Sequence, residues 1–380
     1  MKLADLLNPV ENHDTQTIEA LKKSTLPLVV YGCGDLATHI SEILISHDIS
    51  ISAIAVDRLD NTPKYEILKP YPVITCDDLK ADTRFSKYNI ILGFGRAYKN
   101  ILSGFGDKFK NADNIFYLTG IYDDPVNSFF IDSFSTEDLK ESFDELSELY
   151  DNLSDDISKD SLTAYLLSRI SADAKFNIPF VCTPQYFCKD FLTFSDREVL
   201  IDGGAYTGDS IKDFLKVTDG KYAGIFAFEP DTHNVECLKS FVEQNHLHDV
   251  KIINKGLLDH DGSISFLLTS NMTSQICDDV QATATIPITT IDSVIGDAGN
   301  KMSPPTFIKM DIEGSEIAAL HGAQNTITQY KPTLAISMYH KKNDIINIAK
   351  YARSLVPEYK LYFRMHKYLP IDAVLYATVK

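Results

Sequence analysis

The sequence has few cysteines, no long apolar run and a shortage of basic residues. Its 380 residues include six cysteines, which are scattered and form no CxxC pair: Cys33, Cys76, Cys182, Cys188, Cys237 and Cys277. So sparse a set argues against a disulfide framework or a zinc site, and it favours a reducing cytoplasm. No stretch approaches the roughly 20 apolar residues that span a bilayer, and the first residues contain no apolar core of a secretory signal.

Acidic residues outnumber basic ones, since 53 Asp and Glu face 36 Lys and Arg and give a formal net charge of -17. A surface of that sign repels phosphate backbones and anionic membranes, so we expect no nucleic-acid partner. Apolar residues make up 44% of the chain, which is enough to bury a core and excludes global disorder. The length suits two domains rather than one.

The pattern of apolar residues divides the chain into three segments. Residues 1–130 alternate short apolar runs with helical spacing, which predicts a small Rossmann-like α/β domain with a parallel sheet. Residues 131–194 are rich in acids, with apolar residues at three- and four-residue steps, and predict a helical connector with a solvated face. Residues 195–380 alternate strands and helices until two late strands, which predicts a doubly wound sheet ending in an antiparallel hairpin.

The first segment contains a weak dinucleotide fingerprint. Gly32 and Gly34 follow a strand directly, and Asp57 ends the next strand. Gly93 and Gly95, at a later strand end, are expected to line the same crevice. We consider three roles in this order: recognition of a nucleotide-linked or phosphorylated sugar, a sheet used for dimerisation in a homo-oligomer, and a second enzyme that uses NAD.

The third segment places acids at the ends of consecutive strands. Asp202 ends a strand, and Gly203, Gly204 and Gly208 form the turn that follows, where a ligand could approach the backbone closely. An acid at this point repels a pyrophosphate and attracts an ammonium group, such as that of an amino acid cofactor. Glu229 ends the next strand, where an acid accepts hydrogen bonds from a ribose diol. Three residues are expected in the region of an adenine ring: Asn254, Gly256 and Asp259.

A further group of polar residues follows two later strands. Asp311 ends the strand that carries Lys309, and His340 ends the next strand, so all three are expected at the edge where open α/β sheets bind ligands. Glu313 and Glu316 lie at the start of a helix, where an acid also favours the helix dipole. For these two glutamates a structural role and a chemical role are equally supported.

Several motifs now occur in a familiar order: DGGAYTGD, FAFEP, TTID, FIKMDIEGSEIAALHGA and a late YH followed by Asp344. Over roughly residues 180–380 the sequence resembles the FkbM family of S-adenosylmethionine-dependent methyltransferases, which have a class I Rossmann-like fold. The resemblance implies S-adenosylmethionine as the cofactor and O-methylation, commonly of a sugar or polyketide hydroxyl. The expected partner is thus a small-molecule or glycan substrate.

The resemblance also implies roles for individual residues. Asp202, Gly204 and Gly208 would belong to the loop around the amino acid part of the cofactor, Glu229 would bind its ribose, and Asp311 would approach the reactive methyl group. Two positions depart from the pattern. Many members carry Asn where this chain has Tyr206, and the strand that ends here in Tyr-His usually ends in Glu.

Methyl transfer needs an aligned hydroxyl and a group that accepts its proton. His340 is the expected general base, because imidazole titrates near neutral pH, and Asp311 is the rival. Arg364 and His366 are expected to bind substrate, as is Lys309, which would alternatively pair with a nearby acid. No metal ligands are predicted.

The leading hypothesis is therefore a cytoplasmic O-methyltransferase that acts on a hydroxyl of a sugar or glycan precursor. The alternative is a non-catalytic nucleotide- or sugar-binding protein with a degenerate methyltransferase domain. An oxidoreductase that uses the fingerprint of the first segment comes third.

Overall fold

A computed structural model describes residues 3–8, 10–60, 65–119, 134–267, 275–276, 284–298 and 303–380. The chain forms two compact units, each assembled from three stretches. The N-terminal unit comprises Met1–Glu141, Thr163–Val181 and Lys367–Ile371, and the C-terminal unit comprises Ser142–Leu162, Cys182–His366 and Asp372–Lys380. No described helix combines the length and the apolar character needed to cross a bilayer.

The N-terminal unit is built on a parallel sheet with the strand order β3-β2-β1-β4-β5. Its strands are β1 (Leu28–Tyr31), β2 (Ala53–Val56), β3 (Val73–Thr75), β4 (Tyr88–Leu92) and β5 (Ala112–Phe116). Its helices are α1 (His13–Lys23), α2 (Asp35–Ser46), α3 (Cys76–Ala81), α4 (Asn100–Ser103) and α5 (Thr136–Glu141). Every residue of β1, β2 and β4 is buried, as expected for the centre of a parallel sheet with both faces covered.

The C-terminal unit contains two sheets. The strands of the larger one are β6 (Val199–Gly203), β7 (Gly224–Phe228), β8 (Val250–Ile253), β13 (Phe307–Met310), β14 (Thr333–Ser337), β15 (Lys360–Met365) and β16 (Ala373–Thr378). The smaller one has β9 (Gly256–Leu257), β10 (Gly262–Leu267), β11 (Gln275–Ile276) and β12 (Ala284–Thr289), in the order β11-β10-β12-β9. Strand β10 pairs with β12 and β11.

Seven further helices belong to this unit: α6 (Phe143–Asn152), α8 (Asp209–Val217), α9 (Thr232–Gln244), α10 (Ile291–Ala298), α11 (Glu316–His321), α12 (Gln324–Tyr330) and α13 (Asp344–Leu355). Helix α7 (Asp156–Ser171) begins in the C-terminal unit and ends in the N-terminal one. The segment expected as a connector, 131–194, thus contributes helices to both units. Its first three residues lie outside the described part of the chain.

The strand order of the larger sheet is β15-β16-β14-β13-β6-β7-β8. Strand β16 is antiparallel to its neighbours, and the other pairs are parallel. The expected doubly wound sheet with a terminal antiparallel hairpin is confirmed. The chain turns away from β6 in opposite directions, toward β7 and toward β13, and this reversal leaves a crevice at the carboxyl ends of β6 and β13.

Candidate active site

The turn after β6 is shaped by glycines. Gly203 ends the strand, and Gly204 and Gly208 have φ angles of +75° and +97°, a region that favours glycine. A Cβ atom at Gly204 would lie 2.0 Å from the carbonyl oxygen of Asp311, and one at Gly208 would lie 2.6 Å from the ring of Phe241. We expected these glycines to leave room for a ligand. In the structure, the packing of the turn against the protein itself already requires them.

Asp202 and Lys309 form a buried ion pair beneath this turn. The Lys309 ammonium lies 3.1 Å from Asp202 Oδ1 and donates to the carbonyl oxygens of Gly203 and Gly204 at 3.0 and 2.7 Å. Ser210 donates to Asp202 Oδ2 at 2.5 Å. Burial alone would lower the pKa of Lys309, but Asp202 and neighbouring acids outweigh it and raise the pKa. Both side chains are thus committed to holding the turn, and neither faces an open crevice.

Glu229, directly after β7, is the acid at the neighbouring strand end. Its carboxylate accepts hydrogen bonds from the backbone N–H groups of Tyr206 and Asp231 at 2.9 and 3.0 Å, and from the Asn234 amide at 3.3 Å. Burial raises the pKa of Glu229 although these bonds oppose it. A carboxylate offers about four acceptor positions, so one remains after these three contacts.

Three residues around the crevice have left-handed backbone conformations that side chains rarely adopt. The φ angles are +46° at Tyr206, +65° at Tyr186 and +54° at Glu313. Such strain costs on the order of 1–3 kcal/mol per residue and gathers at functional sites. The position of Tyr206 is the one where the FkbM pattern has Asn, a residue that tolerates this conformation well.

Asn254 and Gly256, both expected near an adenine ring, belong to different parts of the C-terminal unit. The Asn254 amide donates to the carbonyl oxygens of Glu229 and Pro230 at 2.9 and 3.0 Å, and so ties the end of β8 to the end of β7. Gly256 lies in β9 of the smaller sheet, where it pairs with Ile288.

Asp311 follows β13 at the opposite wall of the crevice. Two tyrosine hydroxyls donate to its carboxylate, from Tyr186 at 2.5 Å to Oδ2 and from Tyr339 at 3.1 Å to Oδ1. Burial would raise the pKa of Asp311, but His340 and Lys309 outweigh burial and hold the pKa below its ordinary value. The side chain of Asp311 is 21% exposed, whereas the two tyrosines are buried.

His340 lies three residues beyond β14 and is surrounded by carboxylates. Its Nε2 atom is 3.5 Å from Asp311 Oδ1 and 3.4 Å from Glu313 Oε2, and its Nδ1 atom is 3.1 Å from Glu316 Oε1. Burial alone would lower the pKa of His340, but Glu316, Asp311 and Glu313 outweigh burial and raise it to about 10. Burial raises the pKa of Glu313 to about 8. At neutral pH the imidazole therefore carries a proton already, which is the wrong state for a general base.

Arg364 and His366 have structural partners. The Arg364 guanidinium is buried and donates to Asp155 and Asp190, with closest distances of 2.7 and 2.8 Å. His366 contacts the Cys182 carbonyl oxygen and the Tyr376 hydroxyl, both at 2.8 Å. Both side chains therefore have partners within the protein, and their part in substrate binding stays a prediction.

Sequence reasoning missed the two tyrosines that hold Asp311. Tyr186 is far from Asp311 in the chain and lies in the segment expected as a connector, so no local spacing marks it. Tyr339 stands next to His340, within the run predicted as a strand, and the sequence analysis gave it no role of its own. A tyrosine near the end of a predicted strand would have been the signal for Tyr339.

The carboxyl edge of the N-terminal sheet has its own polar group. Asp57, after β2, receives a hydrogen bond from Tyr31 at 2.9 Å and forms an ion pair with Lys108 at 2.6 Å. Gly32 has a φ of +124°, and a Cβ there would lie 2.4 Å from the Gly93 carbonyl oxygen. The acid of the fingerprint is thus already neutralised by a cation of the same unit.

Comparison with known proteins gives one family and one extensive structural likeness. Residues 202–369 match the model of the methyltransferase FkbM domain. The crystal structure of a methyltransferase FkbM from Methylobacillus flagellatus KT has 23% sequence identity and a TM-score of 0.67, and the match covers 98% of this chain and 95% of that one. At this identity the likeness shows a shared fold.

Two further solved structures match about half of the chain. An rRNA methylase from Streptococcus thermophilus has 12% identity and a TM-score of 0.32, with 50% of this chain and 90% of that one covered. An S-adenosylhomocysteine-bound methyltransferase from Podospora anserina has 11% identity and a TM-score of 0.30, with 48% and 72% covered. No curated protein sequence matches the chain. The family match thus covers residues 202–369, which are similar to the methyltransferase FkbM domain.

Proposed function

We propose that this protein transfers the methyl group of S-adenosylmethionine to a hydroxyl oxygen of a sugar or glycan precursor. The FkbM domain supports a methyltransferase. The hydroxyl acceptor and its carbohydrate nature follow from the FkbM resemblance stated above. The cytoplasmic location stays a prediction from composition.

The cofactor assignment is supported mainly by the burial and the hydrogen bonds of Glu229. Its buried carboxylate is oriented by three hydrogen bonds and retains an acceptor position at the end of β7. The hydroxyl groups of a ribose could donate a hydrogen bond to this remaining acceptor position. The turn at Gly203–Gly208 would hold the amino acid part through its backbone, since Asp202 is sealed beneath it.

S-adenosylmethionine would supply a methyl group on a sulfonium, which is a good leaving group. The chain's own contribution is to align the acceptor and to accept the hydroxyl proton, and alignment alone is worth about 7–11 kcal/mol. We assign proton acceptance to Asp311, the ionised carboxylate that reaches solvent. His340 would act on Asp311 as its charged neighbour, 3.5 Å away.

Calorimetric titration of the full chain with S-adenosylmethionine tests the cofactor assignment. Glu229→Gln should weaken binding by about 10- to 150-fold, because a charge-assisted hydrogen bond is worth about 1.5–3 kcal/mol. Glu236→Gln is the matched control, since Glu236 lies on α9 with its side chain exposed and bonds only Lys239 among the contacts described. A folded Glu229→Gln variant with native affinity would remove Glu229 from the site.

A second measurement tests turnover and acceptor class. The full chain is incubated with methyl-labelled S-adenosylmethionine and a panel of nucleotide sugars and glycans. Label on a sugar oxygen is the expected result. Tight cofactor binding with no label on any member of the panel would instead favour the alternative of a binding protein with a degenerate domain.

A further inference from the structure

Three carboxylates surround the buried imidazole of His340. We call Asp311, Glu313, Glu316 and His340 the His340 cluster. The first three follow β13, and His340 follows β14, so two adjacent strands of the sheet bring the cluster together. Glu316 is fully buried, and the His340 side chain is 3% exposed.

The cluster contains more negative than positive charge. Even without Glu313, the carboxylates of Asp311 and Glu316 face one imidazole, which offsets a single charge when it is protonated. Lys309, which also acts on Asp311, is committed to Asp202 and to two carbonyl oxygens. Buried charges of one sign are costly unless a counter-charge is present.

Several atoms of the cluster are also left without hydrogen bonds. Among the described residues, neither ring nitrogen of His340 has a hydrogen-bond partner, and the same holds for Oε2 of Glu316. The other Glu316 oxygen accepts from the backbone N–H of Ile312 at 2.9 Å. The 3.1 Å contact between Nδ1 and Glu316 Oε1 is an ion pair that is not aligned as a hydrogen bond. Each unsatisfied buried polar group costs about 1–3 kcal/mol.

A cation is the ligand that would satisfy all these groups at once, because imidazole nitrogens and carboxylate oxygens are electron-pair donors. One donor atom from each of Asp311, Glu316 and His340 lies within 4.8 Å of the others. Metal bonds of about 2.0–2.2 Å place neighbouring ligands about 3–3.5 Å apart, so small side-chain movements would close the site. Tyr186 and Tyr339 already orient Asp311, as outer partners of a metal ligand commonly do.

We propose that Asp311, Glu316 and His340 form a binding site for a divalent transition-metal ion. One imidazole and two carboxylates suit Mn²⁺ or Zn²⁺ better than Ca²⁺, which prefers oxygen ligands only. Binding of the ion would release the proton on the His340 imidazole. The ion would lower the pKa of an acceptor hydroxyl that it binds, so that the Asp311 oxygen not bound to the metal would suffice to accept the hydroxyl proton. That catalytic role rests on the proposed function, whereas metal binding does not.

Mn²⁺ is the probe for the test, because the thiols of Cys182 and Cys188 form a second group of metal-ligand type and prefer softer ions. The full chain is treated with a chelator and titrated with Mn²⁺, and the loss of the free-ion electron paramagnetic resonance signal is measured. We expect one Mn²⁺ per chain, a raised melting temperature, and no comparable effect of Ca²⁺.

Two variants locate the site. Glu316→Gln and Asp311→Asn should each weaken Mn²⁺ binding at least about tenfold, which corresponds to about 1.4 kcal/mol. Asp311 reaches solvent, so its variant keeps the test valid if the buried Glu316 variant does not fold. Asp259→Asn is the control, because Asp259 forms an exposed pair with His260 at 2.6 Å and should leave Mn²⁺ affinity unchanged.

Absence of binding up to about 1 mM Mn²⁺, or native affinity in both folded variants, would overturn the metal site. S-adenosylmethionine binding measured on the same samples reports separately on the proposed function. Metal binding without cofactor binding would retain this site and overturn the methyltransferase proposal, and the converse result would do the opposite.

Discussion

In both units, a glycine with positive φ follows a strand that lies between two parallel neighbours, and it fits against one of them. Gly32 follows β1, and its missing Cβ would meet the Gly93 carbonyl oxygen after β4. Gly204 follows β6, and its missing Cβ would meet the Asp311 carbonyl oxygen after β13. In each sheet these two strands are the pair at which the chain reverses direction.

The two units differ in the acid at the end of the next strand. Asp57 of the N-terminal unit is paired with Lys108 and with the Tyr31 hydroxyl. Glu229 of the C-terminal unit is held by two backbone N–H groups and one side-chain amide, with no cation bonded to it among the described residues. The glycine spacing therefore indicates how two strand ends pack. The hydrogen-bond and ion-pair partners of the acid after the next strand indicate whether that acid is available to bind a ligand.

The largest loss of stability is expected when Lys309, the buried cation beneath the turn after β6, is replaced. Lys309→Met should destabilise the protein by about 3–5 kcal/mol, because it leaves Asp202 as an unpaired buried charge. Urea unfolding followed by circular dichroism measures the loss. Lys239→Met, at an exposed lysine of the same unit, should change stability by less than about 0.5 kcal/mol. Equal stability of the two variants would contradict the assigned role of Lys309.

Alanine substitutions at three glycines test whether the turn in each unit depends on a glycine packed against the neighbouring strand end. Gly204→Ala and Gly32→Ala should each cost about 2–5 kcal/mol, because each combines a positive φ with a backbone clash. Gly34→Ala is the control, since Gly34 has a negative φ and open space around its Cα. The melting temperatures of the three variants compare these effects. If Gly204→Ala were as stable as Gly34→Ala, the turn would not depend on this packing.

The smallest effect is expected at the ion pair of the N-terminal unit. Burial would raise the pKa of Asp57, but Lys108 and Tyr31 outweigh it and hold the pKa below its ordinary value. The carboxylate thus stabilises the fold above its ordinary pKa near 4 and loses that contribution as pH falls through the lower folded-state value. Lys108→Met should raise the pKa of Asp57 and cost less than about 1 kcal/mol, because the pair is partly exposed.

Carboxyl NMR titration measures the Asp57 pKa in this variant. Lys110→Met, at an exposed lysine of the same unit, is the control and should leave that pKa unchanged. An unchanged Asp57 pKa in Lys108→Met would show that the ion pair is weak in solution. It would also restore Asp57 as a free acid at the sheet edge, and the two units would then be more alike than we describe.

The sequence was sufficient to predict the sheets, because the buried strands are continuous apolar runs and glycines or acids mark their ends. It placed Glu229, Asp311 and His340 at one edge, since parallel strands end together. It could not show that Asp202 and Lys309 neutralise each other, because alternation along a strand does not reveal which side chain of a neighbouring strand is opposite. It also could not find Tyr186, whose contact with Asp311 joins distant parts of the chain.

Helix α7 passes from one unit to the other, and the short stretch Lys367–Ile371 returns to the N-terminal unit from within the C-terminal one. Ala174, Tyr368 and Leu369 belong to the apolar core that surrounds Tyr88 and Phe109. The gene therefore cannot be cut at a single point to release either unit whole. Recombination that gained or lost one unit would need several coordinated crossovers, so we expect the two to be inherited together.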